Sequence, residues 1–358
     1  MSYMEINHKN YTVKIEEPII SVDNEARGRS GHMTHALAEF GQGEVIAFNS
    51  NCSAKRHSGH FPYGWVEYRI SKDSAKTFSD FKTLDYSYEC FLDGVKTISV
   101  EKAVACPDGT IVAFLLRNDA YKTEFCAPWA TPMFMRSTDG GKSWSEPEVY
   151  SPYEGRTYDA IYYNNAIYVL HFCNPDFEGT TDEHKYRIYK STDSGKTFSE
   201  FCVPPVETND RCYATLVFDD ENRLHFYAYN IKSEQYIDHA VSEDEGATWK
   251  VLEPCYLEKG IRNPQSAFVD GVYFLHGRTA DRHGFVIYTS ENGIDWDEGC
   301  LIENQNYLAG AYYSNNIVLN DEKGKFLLVQ YSSPYTHDEN PYYIATVNVK
   351  HMVLRVEK

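Results

Sequence analysis

The stretch Ser137-Thr138-Asp139-Gly140-Gly141-Lys142-Ser143-Trp144 decides the fold because its layout, Ser-x-Asp-x-Gly-x-Ser/Thr-aromatic, recurs along the chain. Two further copies keep the layout, a third has Ala75 in place of the glycine, and a fourth is one residue shorter. These copies span residues 191–198, 242–249, 71–78 and 290–296. Repetition at intervals of this size is typical of a solenoid, a propeller or an array.

Each copy carries the chemistry of a turn between two strands. An aspartate side chain accepts hydrogen bonds from the backbone of its own turn, and glycine adopts a positive φ at no steric cost. A short run of β-branched and aromatic residues precedes every copy, as in Val66–Ile70 and Tyr236–Val241. The motif therefore predicts a strand–turn–strand corner whose final aromatic ring packs into the sheet.

The motif resembles the Asp box of the sialidase-like superfamily of β-propellers, which carry BNR repeats. Through the repeat, the resemblance extends over nearly the whole chain. It implies that the boxes are structural and lie on the rim away from the active site. The fold class that follows is all-β, and we predict one six-bladed propeller domain formed by residues 1–358.

Strand patterns around the boxes supply the six blades. Five hairpins precede the boxes: His32–Phe40 with Glu44–Asn49, Ser99–Cys106 with Thr110–Leu116, Thr157–Tyr163 with Ala166–Phe172, Cys212–Phe218 with Leu224–Tyr229, and Gln265–Val269 with Val272–His276. The sixth unit has no box and three predicted strands: Tyr312–Leu319, Phe326–Tyr331 and Tyr342–Val347. The N-terminal run Tyr11–Ile15 is predicted to supply its fourth strand and close the ring. No helix of useful length is predicted.

Composition narrows the classes of partner. The net charge is −18 and no run of Lys or Arg occurs, which argues against nucleic acid and anionic membranes. The 29 tyrosines suit both β-structure and stacking on sugar rings. Nine cysteines without a Cys-x-x-Cys pair indicate neither a zinc nor a redox motif, so no metal or cofactor is predicted. Free thiols without an apolar leader predict a cytoplasmic protein, with a secreted or periplasmic one as the alternative if a signal peptide has been removed. The oligomeric state is left open.

Alignment of the blades on their first hairpins predicts a cluster on the axis. Arg156, Arg211 and Arg262 then fall at the same position of three inner strands, and Tyr312 falls there in blade six. Because a guanidinium binds a carboxylate through two parallel hydrogen bonds, the cluster predicts an acidic sugar as partner. The alternative is that each arginine pairs with a local carboxylate between blades. Arg278, which ends a second strand, is a further candidate for substrate binding.

The resemblance sharpens this prediction and also exposes departures. Sialidases bind the substrate carboxylate with three arginines and use a tyrosine nucleophile paired with a glutamate. The segment Gly310–Ser314 resembles the one that carries this tyrosine, which implies Tyr312 as nucleophile by register, with Tyr313 as the alternative or as a substrate contact. Where the family has its first arginine, the chain has His32 and His35. The family's acidic aspartate and its glutamate have no counterpart in residues 51–60 or near Arg211.

Four histidines and two carboxylates are candidate replacements. His32, His35, His57 and His60 occur in blade one, on the face expected to be active. We predict His35 as a general acid or base and His32 as a substrate contact, since imidazole titrates near neutral pH. Glu101 and Asp159 are the best-placed carboxylates, with salt bridges to the arginines as their alternative role.

Three functions remain open from the sequence. The leading hypothesis is a glycoside hydrolase that acts on a carboxylate-bearing sugar. The second is a uronate lyase, because β-elimination with Arg, His and Tyr needs no pair of carboxylates. The third is a non-catalytic propeller that binds glycans or proteins, since a fold does not specify a function.

Overall fold

Six antiparallel sheets surround one axis in the structure, a computed structural model that describes residues 3–32, 34–54, 63–119, 131–173, 182–305, 310–335 and 346–358. The predicted all-β, six-bladed propeller is confirmed. No helix in these ranges is long and apolar enough to cross a membrane.

The N-terminal segment and blade one come first along the chain. The N-terminal elements are β1 (Tyr3–Asn7), β2 (Thr12–Glu16), β3 (Ile19–Val22) and α1 (Asn24–Arg27). Blade one consists of β4 (Arg29–Ser30), β5 (Leu37–Gly41), β6 (Glu44–Ser53), β7 (Gly64–Ser71) and β8 (Lys82–Thr83), followed by α2 (Asp85–Asp93).

Blades two to five each run from an inner strand outward. Blade two has β9 (Lys96–Ala105), β10 (Ile111–Asp119), β11 (Thr131–Ser137) and β12 (Glu148–Val149). Blade three has β13 (Gly155–Tyr163), β14 (Ala166–Cys173), β15 (Lys185–Ser191) and β16 (Ser199–Cys202). Blade four has β17 (Arg211–Phe218), β18 (Leu224–Asn230), β19 (Tyr236–Ser242), β20 (Lys250–Val251) and β21 (Cys255–Tyr256). Blade five has β22 (Arg262–Val269), β23 (Val272–Arg278), β24 (Gly284–Ser290) and β25 (Cys300–Asn304).

Blade six joins the two ends of the chain. Its strands are β26 (Ser314–Asp321), β27 (Gly324–Pro334) and β28 (Val347–Glu357), and β2 pairs with β28 as the predicted closing strand. The inner strands β5, β9, β13, β17, β22 and β26 contact one another in this order, and β26 contacts β5. The ring is therefore closed.

The Asp boxes join the third and fourth strands of blades one to five. In the box after β11, the Ser143 hydroxyl donates to Asp139 Oδ2 at 2.6 Å, and the backbone N–H of Ser143 donates to Oδ1 at 3.0 Å. The Ser137 hydroxyl donates to Asp139 and accepts from the backbone of Gly141. The same pattern recurs around Asp193 and Asp244.

The aromatic ring of a box packs against the preceding blade and so stabilises the contact between the two blades. The Trp144 ring packs against Phe48 and Tyr68 of blade one, with centroids 5.8 and 6.0 Å away, and the Tyr68 hydroxyl donates to the Gly141 carbonyl at 2.7 Å. Trp296 packs in the same way on Tyr227 of blade four. Such ring pairs contribute roughly 0.5–1.5 kcal/mol beyond the area they bury.

Three predicted elements require correction. In blade one the inner strand begins at Leu37 rather than His32, because the His35 ring turns back to bond the His32 carbonyl and keeps this segment irregular. The last strand of blade six is Val347–Glu357, whereas most of the predicted strand Tyr342–Val347 lies outside the described residues. Helix α2 was not predicted, because nine residues give too few turns for a clear helical period.

Candidate active site

A cleft opens on the propeller axis at the face where the inner strands begin. This face is opposite to the Asp boxes, because each box follows a third strand that runs antiparallel to the second. The cleft contains about 380 Å³ of empty space, including its mouth. All six blades line it, through His35, Glu101, Arg156, Thr157, Tyr158, Tyr213, Asn263, Gln265, Tyr313, Ser314 and Asn315.

Arg156 is the central cation of the cleft. One guanidinium nitrogen contacts Glu101 Oε2 at 2.6 Å, and the other donates to the Tyr213 hydroxyl at 2.6 Å. Burial opposes the charge on Arg156, but Glu101 and the surrounding tyrosines outweigh that effect and hold its pKa above the ordinary value. Arg156 is therefore a permanent cation whose two terminal nitrogens contact Tyr213 and Glu101, while its buried Nε has no hydrogen-bond partner among the described residues.

Two hydrogen bonds connect Arg156 to Tyr313 through the Tyr213 hydroxyl, and the donor of each can be assigned. Because a guanidinium can only donate, the Tyr213 oxygen accepts from Arg156. Its own proton is then directed to the Tyr313 oxygen, 3.5 Å away. Burial raises the pKa of Tyr213 well above its ordinary value, although Arg156 opposes that shift, so Tyr213 remains a proton donor. The Tyr313 oxygen therefore accepts a hydrogen bond from Tyr213.

The two neighbouring tyrosines of blade six face opposite directions. Tyr312 adopts a φ of 68°, and its ring is fully buried in the core against Phe285. Tyr313 lines the cleft, where the edge of the His32 ring meets it at a centroid distance of 5.0 Å. The strand register had favoured Tyr312, but a left-handed residue reverses which side chain faces the axis.

His35 is held as a neutral base. Its Nε2 lies 2.9 Å from the His32 carbonyl, which can only accept, so Nε2 carries the proton and Nδ1 has the lone pair. Nδ1 has no hydrogen-bond partner among the described residues. Burial lowers the pKa of His35 to about 4, although the His32 carbonyl opposes the shift. His57 and His60 lie outside the described residues.

Arg278 lies behind Tyr313, with its guanidinium carbon 5.8 Å from the centre of that ring. One nitrogen is 3.5 Å from the Ala311 carbonyl. Burial lowers the pKa of Arg278, Tyr313 opposes the shift, and the positive charge of Arg262 adds to it. An anion close to Tyr313 would relieve this cost of burying the charge.

The other two predicted arginines do not line the cleft. Arg211 is paired with Asp238 and also donates to the Asn209 carbonyl at 3.0 Å. Arg262 contacts Glu234 at 2.8 Å and stacks over Tyr229. A β-bulge follows each of the three aligned arginines, between Arg211 and Ala214, between Arg262 and Gln265 and, one residue further on, between Thr157 and Asp159. A bulge re-aims the side chains of its strand, so equal positions along the chain do not give the three arginines one direction.

Asp159 lies beneath the cleft and is fully engaged. It contacts Lys102 Nζ at 2.9 Å and accepts from the Thr215 hydroxyl at 2.7 Å and the Leu216 backbone at 2.8 Å. Lys102 also bonds Gln265 in the cleft wall. Asp159 therefore braces three inner strands below the cleft, and does not line it.

Sequence reasoning missed several lining residues. Tyr213 was passed over because the family carries a glutamate in this region, and the bulge after Arg211 hid its direction. Two buried amides, Asn263 and Asn315, have atoms without a hydrogen-bond partner among the described residues, namely Nδ2 and Oδ1. These amides gave no signal beyond their type, yet they would satisfy the hydroxyls of a sugar. No described group of His, Cys, Asp or Glu is arranged to hold a metal ion.

We compared the sequence and the fold of the chain with those of known proteins. Residues 93–336 match the family model described as BNR repeat-like domain. No curated protein matches the sequence.

Similar solved structures include a protein of unknown function from Dyadobacter fermentans, with a TM-score of 0.73, 15% identity and coverage of 96% of this chain and 99% of that one. A variant of the NanB sialidase from Streptococcus pneumoniae has a TM-score of 0.64, 11% identity and coverage of 94% and 70%. The intramolecular trans-sialidase from Ruminococcus gnavus, bound to oseltamivir carboxylate, has a TM-score of 0.61, 13% identity and coverage of 93% and 96%. At these identities the likeness shows the fold. Since the family model spans well over half of the chain, the chain belongs to the BNR repeat-like family.

Proposed function

We propose that this protein is a glycoside hydrolase that cleaves a carboxylate-bearing sugar in the cleft, with Tyr313 as the nucleophile. The observation that carries the proposal is the directed pair of hydrogen bonds from Arg156 through Tyr213 to the Tyr313 oxygen. In the resemblance noted above, a glutamate assists the tyrosine. Here a cation acting through a second tyrosine would take its place.

The substrate carboxylate would bind beside Arg278. This guanidinium is buried against Tyr313 and is influenced by a second positive charge, that of Arg262. Asn263 and Asn315 would contact the sugar hydroxyls, and Tyr158 offers a further aromatic surface in the cleft wall. The sialidases among the similar structures support a sugar partner through fold analogy alone.

The reaction would proceed in two displacements. The Tyr313 hydroxyl gives its proton to water as its oxygen attacks the anomeric carbon, the bond to the leaving oxygen breaks, and that oxygen takes a proton from water. In the second step water attacks the same carbon, His35 Nδ1 accepts a proton from it, and the Tyr313 oxygen is released. The protonated His35 then returns this proton to the Tyr313 oxygen, so that both groups recover their starting states.

Proton donation to the leaving group is the weak point of this site. Glu101 is the one carboxylate among the described lining residues, and Arg156 holds it in an ion pair at 2.6 Å. The proposal therefore predicts a steep dependence on leaving-group acidity. A 4-nitrophenyl glycoside should be cleaved at least about 10²-fold faster than a methyl glycoside of the same sugar, since general acid catalysis contributes roughly 10²–10⁴-fold.

A uronate lyase is the second candidate, and the fixed lone pair of His35 favours it. His35 Nδ1 would remove the C5 proton, the C5–H electrons would form the C4–C5 double bond, and the C4–O bond would break. Tyr313, as a neutral phenol, would protonate the leaving oxygen. This route uses no carboxylic acid.

One screen separates the two candidates. The purified protein is incubated with 4-nitrophenyl and oligosaccharide glycosides of N-acetylneuraminic acid and with oligogalacturonates, and released sugar and ultraviolet absorbance of a new double bond are both followed. The Tyr313→Phe variant serves as the blank. Released acidic sugar without absorbance supports the hydrolase, and rising absorbance on uronates replaces it with the lyase. If no substrate gave either released sugar or a rise in absorbance, the result would contradict the enzymatic proposal for these two sugar classes.

A further inference from the structure

Four aromatic rings form a connected cluster on the outer part of blade one, here named the aromatic shelf: Tyr63, Trp65, Tyr88 and Phe91. Trp65 lies 5.3 Å from Tyr88 and 5.1 Å from Phe91, and Tyr63 lies 5.3 Å from Phe91. Tyr63 and Tyr88 are each 39% exposed. Clustered exposed aromatics are uncommon unless they meet a ligand or a partner.

Helix α2 holds the shelf in place. The Ser87 hydroxyl accepts the backbone N–H of Val66 at 2.9 Å, and the backbone N–H of Leu84 donates to the Val66 carbonyl at 3.0 Å. The helix is thereby fixed to β7 next to Trp65. Tyr88 and Phe91 are three residues apart and share one face of the helix. Three of the four rings are thus presented on regular secondary structure, and Tyr63 directly precedes β7, which suits recognition of a flat ligand.

The shelf and the cleft open on the same face of the propeller. Trp65 pairs with Asn51 near the end of β6, the second strand of its blade, and second strands end on the face of the cleft. The Arg29 guanidinium stacks on Trp65 at 5.0 Å. Arg29 precedes His32 by three residues, a span of at most about 10 Å, and His32 contacts Tyr313. A short glycan could therefore reach from Tyr313 to the shelf.

We propose that the aromatic shelf binds sugar rings of the substrate beyond the bond cleaved at Tyr313, so that the natural substrate is an oligosaccharide. This rests on the proposed function. Trp65 and Phe91 are half-buried against α2 and β7, whereas Tyr63 and Tyr88 present accessible surface. A tyrosine offers an apolar face for the C–H side of a sugar and a hydroxyl for its polar edge.

Binding is measured in a Tyr313→Phe background, so that cleavage does not interfere. The probes are 3′-sialyllactose, a sialylated hexasaccharide, and tri- and hexagalacturonate, with binding followed by calorimetry. The protein is expected to recognise either the sialylated pair or the galacturonate pair of probes. Tyr88→Ala and Tyr63→Ala should each weaken binding of the hexasaccharide of that pair on the order of fivefold. Each should change binding of the corresponding 4-nitrophenyl monosaccharide by less than twofold. Tyr88→Phe, which keeps the ring, should retain most of the affinity.

Tyr256→Ala is the matched control, because Tyr256 is an exposed tyrosine, 52% accessible, that contacts Tyr236 on the edge of blade four. It should leave all affinities unchanged. If Tyr88→Ala and its parent bound the long glycan equally well, the proposal that the shelf binds sugar would be wrong. The proposal of cleavage at Tyr313 would still stand if the wild-type protein cleaved the substrate. Absence of both binding and cleavage for every probe would overturn both proposals. If Tyr88→Ala instead turned a dimer into a monomer in sedimentation, the shelf would be a self-association surface and the sugar proposal would be wrong.

Discussion

The Asp-box turns and the cleft are both polar regions of one propeller, but they are assembled in opposite ways. In a box, the aspartate, its serine or threonine partners and the backbone they bond all lie within seven residues, as around Asp193. In the cleft, Glu101, Arg156, Tyr213 and Tyr313 come from four blades. Local polar groups stabilise a turn wherever it occurs, whereas groups brought together from distant strands require the whole ring. Changes in the cleft should therefore alter activity with little effect on stability, and changes in the boxes should do the reverse.

The two tyrosines of blade six give the largest expected contrast. Tyr313→Phe should lower kcat/KM roughly 10³-fold, because it removes the reacting oxygen while keeping the ring. Tyr312→Phe removes the same atom one residue earlier, in the core, and should leave kcat/KM within about threefold. Steady-state kinetics on the best aryl glycoside measures both. If the two variants lost activity equally, the assignment of the nucleophile from the direction of the side chains would be wrong.

Substitution of an aromatic residue in an Asp box should lower stability and leave activity nearly unchanged. Trp144→Ala should lower the free energy of unfolding by about 2–4 kcal/mol, since it removes a large ring between blades one and two. Because the boxes lie on the face opposite to the cleft, kcat/KM of the folded fraction should stay within twofold. Urea denaturation and kinetics on the same sample check both values. Trp144→Phe, which keeps a ring, is the control and should recover most of the stability.

Within the cleft, Tyr213 and its neighbour Tyr158 allow a test of whether the Tyr213 hydroxyl contributes to catalysis. Tyr213→Phe removes the hydroxyl that connects Arg156 to Tyr313, and one preorganised donor to a developing charge contributes roughly 10²-fold. The loss should appear in kcat more than in KM. Tyr158→Phe is the matched control, because Tyr158 packs against Tyr213 but its hydroxyl contacts Cys212 instead. Equal effects of the two substitutions would show that the relay has no part in catalysis.

The same contrast explains what could be foreseen from the sequence. The boxes, their strand–turn–strand context and the closing N-terminal strand are encoded in contiguous residues, so the resemblance to the Asp box implied a propeller and the strand patterns supplied its six blades. The cleft depends on side-chain direction, which one irregular residue reverses. The left-handed φ of Tyr312 gives the two tyrosines different directions, and bulges follow Arg156, Arg211 and Arg262, of which Arg156 alone is among the described lining residues. Period-two reasoning cannot detect a bulge, so it located the cluster but could not tell which of the predicted residues line the described cleft.

The smallest expected effect concerns the charge of the box aspartates. Burial acts to raise the pKa of Asp193, but hydrogen bonds from Thr197, Ser191 and Lys196 outweigh it and lower the pKa to about 2, below the ordinary 3.8. A carboxyl with a depressed folded-state pKa stabilises the fold fully above its unfolded value, and this contribution is lost as pH falls towards 2. Between about pH 4 and pH 2 the unfolded chain therefore binds more protons at this position than the folded chain does.

Asp193→Asn should therefore flatten the fall in stability across that window, by a fraction of the total because other carboxyls titrate there as well. Asparagine is compatible with such a turn, since Asn292 accepts the backbone N–H groups of Ile294 and Asp295 in the fifth box. Urea midpoints at pH 5 and pH 2.5 are compared for the wild-type protein, for Asp193→Asn and for Asp220→Asn, an exposed aspartate in the turn after β17. A flatter profile in Asp193→Asn alone would assign the acid sensitivity to the charge of the box. Identical profiles in all three proteins would mean that the box is stabilised by its hydrogen-bond geometry, with its charge contributing nothing measurable.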